Sequence, residues 1–483
     1  MSRKNLHHVL HVVSISLMFE TIFVLLCVPV SIYYHEAVTM QLLGSVFVMG
    51  ALSVFSFLFT RKKIREFSLK DNYIAVVLTW VLISIFGAIP YMITGAIPLF
   101  KDAFFESVSG FTTTGSSILR DIEIVPKALL FWRAETHWLG GMGIIVLVIA
   151  LMPYFNIGGQ QMIMAEGSFF STEKIKSRTI DVAKRMWLIY VALTLMEIVA
   201  LKISGMGYFD SVCHSFATIA TGGFSTKNKS LIDALPSTQY IVILFMILSG
   251  MNFTLHYLFV HGRFKKVFKN EEMRTYLLII GIVSILIGIV LHKTFNVSWE
   301  KGMRDALFQV SSVITATGFV SANYQIWPGI AKALVLFVML IGACAGSTGG
   351  GIKVARYVLM FKSIRLYVRK IINPNWIQIA RFNGENIGSD FLPSIFGFAF
   401  IYYTTIIVGT FVMLGTGLDI PTASSSVITT LGGVGPGFNA VGPIENFADI
   451  STFGKFYLSF NMIIGRLEIL SALVLVLPAF WRK

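Results

Sequence analysis

Four fourteen-residue stretches hold the residues of this chain best placed to handle a ligand. They are DAFFESVSGFTTTG (Asp102–Gly115), DSVCHSFATIATGG (Asp210–Gly223), DALFQVSSVITATG (Asp305–Gly318) and TASSSVITTLGGVG (Thr422–Gly435). Each opens on Asp or Thr and closes on Gly, with no gap in the register. A run of Thr, Ala and Gly has little side chain to react, but it leaves backbone carbonyls free to face a common axis. Rings of such oxygens replace the hydration shell of a monovalent cation. Glycine suits the positions where carbonyls alternate in direction, because the backbone angles required there clash with a Cβ. One such stretch alone reads better as a polar outer loop or a helix-packing motif. Four in one register point to a repeat built around one pathway.

Catalysis finds less support. His137, His214 and His256 lack partners at metal-ligand spacing, and Cys27, Cys213 and Cys344 are far apart in apolar surroundings. Neither a disulfide framework nor a metal pattern is visible. No nucleophile with a base, and no cluster of acids, stands in the apolar stretches, so the chain is not expected to be an enzyme.

The elements that must position these stretches follow from composition. Of 483 residues, 55% are hydrophobic and 13% charged, with a mean hydropathy of +0.74. A soluble domain carries about 25% charged residues, so lipid must cover much of this surface. Ten apolar runs are expected to cross a membrane: Val9–Ile32, Leu42–Thr60, Tyr73–Ile93, Ile144–Met152 with its upstream flank, Met186–Leu201, Tyr240–Val260, Tyr276–Leu291, Ala331–Cys344, Phe391–Leu414 and Phe456–Phe480. The opening Asp or Thr of each stretch is expected to cap a helix of about nine residues, too short to span. Each stretch then enters the membrane, stops and returns, its helix aiming the negative end of its dipole at the axis. The expected fold is an all-α integral membrane protein with four helix–pore-loop–helix repeats. An N-terminal hairpin (1–70) precedes repeats at 71–165, 166–265, 266–385 and 386–483.

Charge orients this plan. The net charge is +14, and 26 of the 39 Lys and Arg fall in every second connection or at the termini: 3–4, 61–70, 174–185, 263–274, 353–381 and 482–483. That is the positive-inside pattern. It places both termini in the cytoplasm and leaves no reason to invoke nucleic acid.

Within the third repeat, AGSTGGG (Ala345–Gly351) interrupts an apolar run. Each glycine costs about 1 kcal/mol relative to Ala inside a helix, so the helix is expected to break there, below the pore loops and across the ion path. Gly346–Gly351 has the first half of a phosphate-loop spacing, but Ile352 stands where Lys belongs and no strand precedes it. Arg466 lies in the last apolar run, where an ionisable group faces the interior or a cavity. On its own this reads as an Arg466 paired with Glu468 or another buried acid. Arg133 and Glu135 read as an interfacial pair, and Glu20 and Glu197 as helix-to-helix hydrogen-bonding groups.

The stretches FFESVSGFTTTG (Phe104–Gly115), HSFATIATGGFST (His214–Thr226), GACAGSTGGGIK (Gly342–Lys353), GRLE (Gly465–Glu468) and HWLGGMGIIVL from His137 carry a resemblance. The chain resembles the Trk/Ktr/HKT superfamily of potassium transporters, in its TrkH-type bacterial branch, over nearly its whole length. The resemblance implies a pseudo-fourfold pore in one chain, filter glycines at Gly115, Gly223, Gly318 and Gly435, and carbonyl donors at Thr113, Thr114, Thr221, Gly222, Ala316, Thr317, Gly433 and Val434. Gly222 and Gly223 are adjacent, which leaves the second position open by one residue. Gly115, where sodium-carrying plant relatives have Ser, favours potassium; LGGVGPGF in the fourth repeat departs from the usual Asn-containing pattern. By the same resemblance, Ala345, Gly346, Ser347, Thr348, Gly349, Gly350 and Gly351 form an intramembrane gating loop, with Arg466 beside it.

The resemblance further implies potassium as substrate, no cofactor, a bacterial inner-membrane location, a homodimer within lipid, and a cytosolic nucleotide-binding regulatory ring of the TrkA type. That ring is expected against Lys174–Arg185 and Lys353–Arg381. The chain has no GxGxxG fingerprint, so nucleotide control would come from another polypeptide. Two alternatives remain: a sodium-carrying or sodium/proton-coupled potassium transporter of the same superfamily, and a secondary transporter of an organic solute. The latter usually shows two related halves rather than four.

Overall fold

The structure, a computed structural model, describes residues 3–60, 69–141, 143, 179–374, 380–387, 391–469, 475 and 478–481. Helices dominate it. α1 (Arg3–Tyr33) and α2 (Thr39–Thr60) fold back on each other through a short turn in which His35 takes a left-handed φ of 53°. α1 buries Val9, Val13, Leu17 and Val24, while α2 leaves Phe47, Phe55 and Phe59 exposed. A row of exposed aromatics on an uncharged helix is a surface for lipid rather than water.

After this hairpin, long and short helices alternate. α3 (Leu69–Gly87) runs into the single turn α4 (Ile89–Ile93), then α5 (Phe100–Phe111) and α6 (Lys127–Gly141). α7 (Thr179–Ile203), α8 (Tyr208–Ile219), α9 (Pro236–Ser249) and α10 (Phe253–Val260) follow, and α11 (Phe264–Phe268) leads out of them. Next come α12 (Glu271–Phe295), α13 (Trp299–Ile314), α14 (Gly329–Met339) and α15 (Val354–Ile372). α16 (Phe391–Leu414), α17 (Ile420–Gly432) and α18 (Thr452–Arg466) complete the set, with the turn α19 (Pro478–Trp481) at the end. The one strand pair among the described residues is β1 (Arg381–Phe382) against β2 (Glu385–Asn386), closed by Asn383–Gly384 with φ of 52° and 87°. Both central residues at positive φ make this the tight turn that Asn-Gly favours.

Among the described residues, six helices are long and apolar enough to cross a membrane: Val9–Tyr33, Thr39–Thr60, Tyr73–Ile93, Lys184–Ile203, Glu271–Phe295 and Leu392–Leu414. A seventh span is reached if Pro236–Ser249 and Phe253–Val260, bent by 99°, are joined. Six or seven of the ten expected spans are thus met by such helices among the described residues. Ile144–Met152 lies outside the described residues, the expected span Ala331–Cys344 holds helix only to Met339, and the run from Phe456 is broken after Arg466. The helices that follow the pore stretches press on the ends of the short helices: a Cβ on Gly140 would stand 1.9 Å from the Phe111 carbonyl, and one on Gly465 2.1 Å from that of Leu431.

Candidate cation pathway and its closure

Four short helices, α5, α8, α13 and α17, carry the four glycine-ended stretches. They start earlier than their Asp and Thr residues suggest: the caps are Leu99, Gly207, Ser298 and Asp419, not Asp102, Asp210, Asp305 and Thr422. Tertiary partners claim two of these acids instead. Asp102 forms a 2.6 Å ion pair with the Lys455 ammonium, and Asp210 accepts a 2.7 Å bond from the Thr226 hydroxyl.

Beyond each short helix the backbone repeats one conformation. Thr113, Thr221, Ala316 and Gly433 are left-handed, with φ of 53°, 54°, 59° and 72°. Two residues on, Gly115, Gly223, Gly318 and Gly435 are left-handed again, at 80°, 82°, 81° and 92°. The residue between them donates its N–H to a carbonyl five residues back: Thr114 to Ser109, Gly222 to Ala217, Thr317 to Ser312 and Val434 to Thr429, at 2.8 to 2.9 Å. This equivalence assigns Gly223, rather than Gly222, to the second repeat's glycine position.

The four strands meet in a closed cycle. A Cβ on Gly115 would stand 2.1 Å from the Gly222 carbonyl oxygen, one on Gly223 1.9 Å from that of Thr317, one on Gly318 2.0 Å from that of Val434, and one on Gly435 2.7 Å from that of Thr114. Each repeat's glycine thus abuts the equivalent carbonyl of the next, and the fourth returns to the first. Only glycine fits without displacing those oxygens. Eight of the twelve residues expected in the filter make this cycle, Gly115, Gly223, Gly318 and Gly435 with the carbonyls of Thr114, Gly222, Thr317 and Val434, while Thr113, Thr221, Ala316 and Gly433 precede them on the same strands. The arrangement suits carbonyl coordination of a desolvated monovalent cation.

Buried polar groups hold the strands from behind. Glu106 on α5 accepts from the Ser117 hydroxyl (2.9 Å) and the Ile118 N–H (2.9 Å). Arg133 donates to Glu106 through Nε at 2.8 Å and to the Ser225 carbonyl through Nη1 at 3.1 Å, with its guanidinium 4.0 Å from the Phe224 ring centroid. The expected Arg133–Glu135 pair is absent; Glu135 instead accepts from the Cys27 thiol at 3.2 Å. Residues two apart on one helix point to different sides, which is why the pairing goes across elements. His137 reaches the Gly110 carbonyl with Nδ1 (2.8 Å) and the Phe224 N–H with Nε2 (3.1 Å), so Nδ1 carries the proton and Nε2 accepts. His214, at the equivalent position to Glu106, meets the Ser225 hydroxyl with Nε2 at 3.0 Å. Glu20 makes no such bridge: its carboxylate is buried beside Gly87 without a hydrogen-bond partner among the described residues.

Ala345–Gly351 breaks the third repeat's return between α14 and α15, as its glycines require. Its neck is zipped: the Gly342 N–H donates to the Ile352 carbonyl (2.8 Å) and the Val354 N–H to that of Ala343 (3.2 Å). Its tip lies against the C-terminal ends of α8, α13 and α17. The Thr348 hydroxyl donates to the Ile219 carbonyl at 3.0 Å, Phe253 N–H donates to the Gly346 carbonyl at 3.0 Å, and a Cβ on Gly350 would stand 2.2 Å from the Gly432 carbonyl. Arg466 donates to the Thr348 carbonyl (2.9 Å) and to the carbonyls of Gly140 and Gly141. It thereby ties the loop to the first repeat. Glu468 does not pair with it; that carboxylate forms a 2.5 Å ion pair with Arg356. Lys353 Nζ donates to the Gly349 carbonyl inside the loop.

Sequence reasoning missed Glu106, Glu272, Lys353, Arg356 and the role of His137. The signal available was the rarity of charge in apolar runs, which marks such residues without naming their partners. Of the two basic segments expected to meet a partner, 353–374 and 380–381 are described, whereas 174–178 lies outside the described residues.

The family model described as TrkH, cation transport protein, matches residues 35–483. The Trk system potassium uptake protein TrkH of Escherichia coli (strain K12) is 36% identical over 461 residues, 94% of this chain and 95% of that protein. The protein of the same description from Halomonas elongata is 31% identical over 484 residues, 99% and 100% of the two chains. Among solved structures, the potassium transporter TrkH from Vibrio parahaemolyticus covers 100% of both chains with a TM-score of 0.88 and 32% identity.

Proposed function

Because this chain belongs to the TrkH family of cation transport proteins, we propose that it takes up potassium through a selective, gated pore in the bacterial inner membrane. The pore is a pseudo-fourfold assembly of the repeats 71–165, 166–265, 266–385 and 386–483, with the hairpin 1–70 outside it and ten spans in all. Carbonyls of Thr113, Thr114, Thr221, Gly222, Ala316, Thr317, Gly433 and Val434 replace the hydration shell, and Gly115, Gly223, Gly318 and Gly435 permit their direction. The observation that carries this reading is the closed cycle in which each glycine abuts the next repeat's carbonyl.

Below the filter, Ala345–Gly351 obstructs the path when closed. Arg466 holds it there and adds a positive charge that repels cations from the shut pore. Opening breaks the contacts of Thr348 with Ile219 and Arg466. No cofactor takes part; potassium is the substrate. Both termini face the cytoplasm, the protein works as a homodimer, and a cytosolic nucleotide-binding ring of the TrkA type docks on the basic cytoplasmic segments and moves the loop. Glycine at position 115, with its left-handed φ of 80°, supports potassium over the sodium-carrying variant.

Rubidium uptake into liposomes containing only this protein tests the proposal. Uptake competed by potassium much more strongly than by sodium is expected. Equal competition by the two ions would overturn the selective filter.

A further inference from the structure

The gating loop has a second point of attachment, away from its tip. Glu272, near the start of α12, is buried to 3% exposure. Its Oε1 accepts the N–H of Ala345 at 2.6 Å and the N–H of Ala355 at 3.1 Å. Ala345 is the first residue of the loop, and Ala355 is the second of the helix that leaves it. One carboxylate oxygen therefore spans both feet. Asn270 fixes the start of α12 by accepting from the Met273 N–H at 2.9 Å, so the acid is delivered from a rigid helix end.

We infer that Glu272 is a positioning residue of the gate, a clamp whose grip on both feet belongs to the closed loop and is given up when the loop opens. This rests on the reading of Ala345–Gly351 as the gate. The argument is one of chemistry and place. A buried carboxylate is costly unless it is hydrogen-bonded or paired, and here two backbone N–H groups of a Gly-rich segment satisfy it. Bonds to an ionised acceptor are about twice as strong as neutral ones. Gly349, Gly350 and Gly351 have no side chains to pack, so the loop is held by hydrogen bonds, and those to Glu272 are the ones made by an acid from outside it. Three charged groups stand close by. Lys353 bonds within the loop, Arg356 pairs with Glu468, and Arg466 holds the tip. None of them reaches the N–H groups of Ala345 and Ala355, which as donors need an acceptor. Glu272 alone among these groups joins the two feet.

The test compares E272A, E272Q and wild type by basal rubidium uptake in liposomes, beside a variant lacking Gly346–Gly351. Removing the clamp raises basal uptake about tenfold or more in E272A, as expected for losing charge-assisted bonds that favour one of two states. E272Q keeps an acceptor oxygen but not the charge, so its uptake falls between wild type and E272A, several-fold above wild type. Potassium-over-sodium preference stays as in wild type in both, because the filter is untouched; a general loss of packing would lower uptake and selectivity together. Should E272A fail to purify folded, E272Q decides alone: raised uptake supports the clamp, and wild-type uptake overturns it. Uptake in folded E272A no higher than wild type, while the loop-deleted variant leaks, overturns the clamp and leaves the gate. No rise in either variant overturns the gate and the clamp with it. Equal uptake in E272A and E272Q also overturns the inference, since the oxygen bridge would then be idle.

Discussion

Replacing Gly318 by Ser separates a filter glycine from an ordinary loop glycine. The new Cβ would stand 2.0 Å from the Val434 carbonyl oxygen and 3.0 Å from Pro436 Cδ, at a φ of 81°. Ordinary contact begins near 3.4 Å, so the carbonyl must retreat by more than about 1 Å or turn away. Left-handed backbone adds about 1–2 kcal/mol for a residue with a Cβ, and forced overpacking about 1–3 kcal/mol. Most of this strain falls on the fourth repeat's oxygen, one of the four that define the cycle. If the overpacking cost appears as lost discrimination, potassium-over-sodium preference falls about five- to a hundredfold. Gly433→Ala is the matched control. Its φ is also positive, at 72°, but the nearest atom to its Cβ is Gly350 Cα at 3.9 Å. The equivalent Thr113, Thr221 and Ala316 already carry a Cβ at φ of 53°, 54° and 59°. G433A is therefore expected to keep its preference within about twofold. Competition of rubidium uptake by potassium and sodium reads both. Unchanged preference in G318S, or an equal loss in G433A, would refute the reasoning.

Three further outcomes are expected. Arg466→Ala removes the donor to the Thr348, Gly140 and Gly141 carbonyls and should raise basal uptake about tenfold or more; unchanged uptake would leave Arg466 a structural residue. Deleting Gly346–Gly351 should raise basal uptake further, and equal or lower uptake in folded protein would argue against the loop as a gate. Arg133→Ala strands the buried Glu106 carboxylate, a change that costs about 3–5 kcal/mol for a buried pair. A lower melting temperature in detergent and weaker potassium preference are expected, and a wild-type melting temperature would contradict the role given to this pair.

Much of this arrangement was legible in the chain. The fourteen-residue register ends on the four glycines of the cycle, because the backbone conformation they share demands Gly at one fixed place and the stretches contain no gaps. AGSTGGG announced its own break, since no helix absorbs glycine at that density. Other features depended on contacts that no spacing encodes. Gly222 and Gly223 are chemically the same, and only the left-handed pattern shared with Thr113–Gly115 distinguishes them. The acids at 102 and 210 look like caps in one dimension, yet Lys455 and Thr226 hold them. Arg133 has Glu135 two residues away in sequence, but its partner Glu106 comes from another helix. Continuous hydropathy also hid the broken returns after the second, third and fourth pore stretches. A hydropathy window averages over Gly140, Gly342 and Gly465, whereas the fold uses those glycines to bring backbone against backbone.

The central claim, that this one chain holds a potassium-selective filter, is tested most directly by rubidium uptake into liposomes containing the purified protein alone, competed by external potassium and sodium. The account predicts uptake suppressed by potassium far more strongly than by sodium. Equal suppression by both ions, in protein shown to be folded, would contradict it.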